Sequence, residues 1–124
     1  MTVDLRPRPD DGTPTALLAL ALFLGPAAAL ADLQVAYMLV APSCEAGNNL
    51  PLHLVHAIML AAAAVGVGCG VAAWRRSGSG ELHTDAGRTA RTRFLAVLGI
   101  LLSGLFAAVV VAQWLGDFVL SPCQ

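Results

Sequence analysis

Three stretches of the chain, residues 15–40, 51–74 and 94–120, are each longer than the roughly 20 apolar residues that a helix needs to cross the hydrocarbon of a bilayer. They hold no Lys or Arg and only two acids, Asp32 and Asp117. Runs of this kind predict transmembrane helices, and three of them use up most of a chain of 124 residues. Composition agrees, with 57% hydrophobic and 12% charged residues, where a soluble domain carries about 25% charged. The expected fold class is therefore an all-α membrane protein, a small bundle of three transmembrane helices forming a single domain over residues 1–124. What lies outside the helices is a polar head, a short turn, a polar loop at 75–93 and a few residues of tail. No extramembrane domain can be built from these pieces. The expected partners are the lipid bilayer and a larger membrane complex, with no nucleic acid.

Charge orients the bundle. All seven basic residues are arginines: Arg6 and Arg8 in the head, then Arg75, Arg76, Arg88, Arg91 and Arg93 between the second and third apolar stretches. Positive charge collects on the cytoplasmic side of membrane proteins. The head and long loop are thus expected in the cytoplasm, and the turn and C-terminus in the periplasm. The absence of Lys beside so much Ala, Leu, Val, Gly and Arg fits a high-GC bacterial genome, hence a multi-pass protein of the bacterial inner membrane.

The segment Ala29-Leu30-Ala31-Asp32 has the small-x-small form of a signal-peptidase site, and the apolar residues before it could be a signal core. Against cleavage, Asp4, Asp10 and Asp11 offset the two head arginines, and the apolar pattern resumes after Asp32. An intact first helix is the preferred reading, with cleavage of residues 1–31 left open. Thr13-Pro14 reads as a cap followed by proline in the first turn. The helix is expected to end before Pro42 and to kink at Pro26. Asn49 and Pro51 open the second helix, and Trp74-Arg75-Arg76 closes it at an interface. The third follows Thr92-Arg93 and ends near Trp114, Phe118 and Pro122. The loop beginning Ser77-Gly78-Ser79-Gly80 is flexible by composition.

Small residues recur at one-turn spacing at Ala28, Asp32 and Ala36, at Ala62, Gly66 and Gly70, and at Gly104, Ala108 and Ala112. Such faces let helix backbones approach closely in lipid, but the spacing does not say whether the partner helix belongs to this chain or to another.

Counting inward from the expected helix ends at about 1.5 Å per residue, Asp32, His56 and Gln113 fall near one level, with His53, Gln34, Tyr37 and Asp117 above or around them. A buried acid in a membrane takes a partner, and His56 is the obvious one for Asp32. The three are expected as an intramembrane polar cluster that sets helix rotation. A proton relay or a contact with another subunit are the alternatives. His53 and His56 share a face, and with Cys44 and Cys123 they are weak candidates for copper or zinc. Two His one turn apart cannot supply opposite axial ligands to a haem, so no metal and no cofactor is expected.

Cys44 and Cys123 are separated by two crossings and emerge on the same side of the membrane whichever way the chain inserts. If that side is the oxidising periplasm, they form a structural disulfide. Redox-active thiols are the other reading, though no Cys-x-x-Cys is present. Cys69, between Gly68 and Gly70, is an inert packing residue.

The segments Gln34-Val35-Ala36-Tyr37-Met38-Leu39-Val40, Cys44, Leu52-His53-Leu54-Val55-His56, Arg75 and Ser121-Pro122-Cys123-Gln124 look like those of small bacterial three-helix inner-membrane proteins encoded near cytochrome c oxidase and its assembly factors. The resemblance implies an accessory or assembly role in respiration and brings no catalytic residues with it. No nucleophile–base pair or phosphate-binding motif is present, so the expectation is a non-catalytic accessory subunit or assembly helper. A periplasm-facing thiol- or metal-handling protein and a small oligomeric transporter built on Asp32 stand as alternatives.

Overall fold

The computed structural model is all-helical and describes residues 12–79, 86–121 and 123, with side chains placed for most of them. Three helices, α1 (Gly12–Ala46), α2 (Leu50–Ser79) and α3 (Ala86–Val119), pack against one another. Each is long and apolar enough to cross a membrane. The head arginines and acids, residues 80–85, Pro122 and Gln124 lie outside the described residues.

All three helices outrun the expected boundaries. At 35, 30 and 34 residues they measure roughly 45–52 Å at 1.5 Å per residue, longer than the about 30 Å of a bilayer's hydrocarbon. α1 does not stop before Pro42, because a proline removes one backbone donor without preventing the next turn. The helix continues to Ala46 and closes on Gly47, whose φ of 62° is the left-handed conformation that glycine adopts without penalty. Gly47 N–H donates to Cys44 O (3.2 Å) and Asn48 N–H to Ser43 O (3.1 Å), the paired bonds of a Schellman cap. At the other end the helix has already begun at Gly12, so Thr13 is not the cap; Pro14 does fall in the first turn.

Asn48, not Asn49, supplies the capping side chain of α2. Its Oδ1 accepts the Leu50 N–H at 3.0 Å, while the Asn49 carbonyl takes the first helical bond, from His53 N–H at 3.2 Å. The expected loop 75–93 is largely helical as well. α2 continues past Arg75 and Arg76 to Ser79, with Ser77 Oγ donating to Trp74 O at 2.7 Å, and α3 starts at Ala86, not at Phe94. Composition gave no sign of this, because glycine and serine lower helix propensity only modestly and polar residues are no obstacle to a helix outside the hydrocarbon.

The bundle is built small side in. Its buried apolar residues are mostly alanines, with Leu52 and Val110, while Phe23, Leu33, Tyr37, Met38, Leu101, Leu105 and Phe118 point outward. At the centre Gly25, Gly66 and Ser103 meet. A Cβ on Gly25 would lie 2.5 Å from Ser103 Cα, and one on Gly66 2.7 Å from Ser103 Oγ. Gly99 lies as close to Ala21, and Gly70 to Ile100. Ser103 Oγ donates to the Ala21 carbonyl at 2.6 Å, beside the Leu22 carbonyl that Pro26 deprives of its usual donor. These contacts run α1 and α3 in one direction and α2 in the other. Arg75, Arg76, Arg91 and Arg93 stand at one end of the bundle, and the Cys44–Cys123 disulfide at the other.

Candidate functional site

Toward the disulfide end, each helix contributes to one polar array. Asp32 comes from α1, His56 from α2 and Asp117 from the last turn of α3. Asp32 is fully buried, because it sits on the inward stripe of α1 that also holds Ala21, Gly25, Ala28 and Ser43. His56 is buried on the matching stripe of α2 with Leu52, Ala63, Gly66 and Gly70. His56 Nδ1 lies 2.8 Å from both carboxylate oxygens of Asp32. Its Nε2 lies 2.7 Å from Asp117 Oδ2. The imidazole thus bridges two carboxyl groups, one sealed in the bundle and one 33% exposed.

A second layer of rings holds the bridge in place. Trp114 Nε1–H donates to His53 Nδ1 at 2.8 Å. That bond requires His53 Nδ1 to be unprotonated, so the ring carries its proton, when neutral, on Nε2. Trp114 also stacks on His56, with centroids 6.3 Å apart and planes 26° from parallel. Phe118 approaches His53 at 4.9 Å. At the opposite end the Arg93 guanidinium lies over Trp74 at 5.7 Å, within the range of a cation–π contact.

The structure brings Asp32 and His56 together, and it does not bring Gln113 to them. The buried Gln113 Oε1 accepts no hydrogen bond; Asp117, one turn further on, holds the third place. A carboxylate is the stronger acceptor for an imidazole N–H, and the two residues share a face of α3, so a one-turn shift of the helix exchanges them. His53 and His56 do not converge as metal ligands. Both nitrogens of His56 face carboxyl groups on opposite sides, and His53 Nδ1 faces Trp114. No group of three His, Cys, Asp or Glu side chains among the described residues is placed to hold a metal ion.

Cys44 and Cys123 are joined, with Cα atoms 5.3 Å apart and a separation of 79 positions in sequence. Cys69 is a free thiol, half-buried on α2. Of the three small-residue stripes, those of α1 and α2 turn inward, whereas Gly104, Ala108 and Ala112 of α3 are exposed, and nothing in the bundle lies within 4 Å of a Cβ built on Gly104. Ser103, the residue preceding that stripe, is the buried hub that sequence reading passed over. Its only signal was a hydroxyl in mid-span at the level of two glycines.

Comparison with known protein families, with curated proteins and with solved structures finds no match to this chain.

Proposed function

We propose that the chain is a non-catalytic integral protein of the bacterial inner membrane, N-terminus cytoplasmic and C-terminus periplasmic, that serves as an accessory subunit or assembly helper of a respiratory complex of the cytochrome oxidase type. The observation that carries a docking role is the outward face of α3. Gly104, Ala108 and Ala112 form a shallow stripe at one-turn spacing, left over after the other two small-residue stripes have been used inside the bundle. Its occupant is a transmembrane helix of the larger subunit. The stripe lies at the level of the hydrocarbon, where close backbone approach is the means by which helices associate. Two independent signals support the topology. Arginines gather at one end, as on a cytoplasmic face, and a disulfide closes the other, as in an oxidising compartment. The respiratory assignment rests on the resemblance of the Gln34–Val40, His53/His56 and Ser121–Gln124 segments.

The competing thiol reading is weakened by the Cys44–Cys123 bond, which leaves neither thiol free, and the metal reading by the engaged nitrogens of His56. The test is purification of the tagged chain in mild detergent from a respiring bacterial host. A haem protein with an oxidase difference spectrum should co-migrate with the wild type and be lost from Ala108→Phe while that variant keeps its helical circular dichroism. A free monomer, or a complex of this chain with itself alone, overturns the assignment.

A further inference from the structure

We propose that Asp32, His56 and Asp117 form a proton-exchange site that opens only to the disulfide end of the bundle, an inlet without an outlet. The argument begins with counting protons. Each nitrogen–oxygen contact of His56 needs one proton between its partners, so the array holds at least two. Two carboxylates and an imidazole ring sharing two protons carry a net charge of −1. No described cation balances it. From α1 the ring faces Asp32, from α3 Asp117; His53 is one turn away on its own helix, and Glu45 adds another acid at the same end, while the described arginines stand at the far end. An unbalanced charge beside a fully buried carboxyl group is costly in a medium of low dielectric, and one further proton removes it.

The geometry provides a way in. Asp117 is 33% exposed, whereas the His56 and Asp32 side chains are 3% and 0% exposed. With the ring neutral, the two protons sit on Nδ1 and on the Asp117 carboxyl, and the negative charge sits on Asp32. The Asp117 carboxyl gives its proton to Nε2 as Nδ1 gives one to Asp32, so the ring stays neutral and the negative charge moves outward to Asp117. Asp117, now a carboxylate, takes up the one further proton from water. Throughout, every hydrogen bond persists with donor and acceptor exchanged, so loading requires no repacking. Water is expected to reach this region, because the buried Gln113 Oε1, one turn from Asp117, and Ser43 Oγ, on the Asp32 stripe, have no protein partner, and buried polar atoms of this kind are ordinarily paired with water.

Beyond Asp32 the route stops. Between the array and the arginine end, the described span residues include no ionisable side chain except Cys69, and the Ser103 hydroxyl is engaged by the Ala21 carbonyl. A proton that enters leaves by the same door.

The test uses the full chain in lipid vesicles. Infrared difference spectra on acidification should show a protonated-carboxyl band that Asp32→Asn removes and Glu45→Gln, at the exposed end of α1, retains. If Asp32→Asn fails to keep its helicity and disulfide, Asp117→Asn serves as the second variant. In a Trp74→Phe background the emission of Trp114, stacked on His56, should titrate together with the band. A trapped pH dye should report no proton flux above that of empty vesicles. A band indifferent to both Asp substitutions refutes the site, and a flux abolished by Asp32→Asn refutes its one-sidedness.

Discussion

At His56 both ring nitrogens are held by carboxyl groups, so removing the ring leaves Asp32 buried with no partner. Breaking one member of a buried charged set costs about 3–5 kcal/mol, whereas replacing the whole set by apolar side chains is far milder. We therefore expect His56→Leu to lower the thermal midpoint of the bundle in detergent more than the triple substitution Asp32→Leu, His56→Leu, Asp117→Leu. Equal losses would show that the array contributes no coupled interaction. The pairing of Asp32 with His56 was legible in the sequence, because helical rise alone places them at one depth. The choice of Asp117 over Gln113 was not. It depends on the axial position of α3 to within one turn, and the helix begins eight residues before the apolar stretch does.

At the scale of the helix, glycines of the same composition have opposite roles. A Cβ on Gly25 would press on the backbone of Ser103, 2.5 Å away, while one on Gly104 would meet open space. Gly25→Ala should destabilise the bundle by about 1–3 kcal/mol, the range for overpacking. Gly104→Ala should stay within about 0.5 kcal/mol of wild type, both read from thermal loss of helicity. Similar effects at the two sites would mean that the Gly25, Gly66 and Ser103 crossing is not tight in solution. All three small-residue stripes were visible in the sequence. Which one would face out was not, since small faces are interchangeable until the helices have chosen their rotations. Here the rotations follow from the polar groups: burying Asp32, His56 and Ser103 together commits the stripes of α1 and α2 to the interior. The helix ends were hidden for another reason, since hydropathy marks where the hydrocarbon ends and not where the hydrogen-bonded ladder ends.

At the scale of the whole molecule, the disulfide ties the ends of α1 and α3 across a loop that loop-closure entropy values at about 4–5 kcal/mol, an upper bound where the opened chain is still held by lipid. Cys123→Ser should lower the thermal midpoint without loss of helix, and a reductant should lower that of the wild type as far but leave Cys123→Ser unmoved. An equal effect of the reductant on both would place its action elsewhere. Reporter fusions check the orientation: a periplasm-dependent phosphatase should be active after Ser121 and silent after Arg91, and the reverse pattern would invert the bundle.

The same bond has a consequence for how the chain is made. α2 and α3 lie between its two sulfurs, so the bond closes a covalent ring, and on the proposed topology that ring can form only after both crossings have been threaded. A chain that skipped a crossing would strand its two thiols in different compartments. On that topology ring closure is a record of correct insertion, and each molecule would carry that record as a difference in mobility between reducing and non-reducing gels.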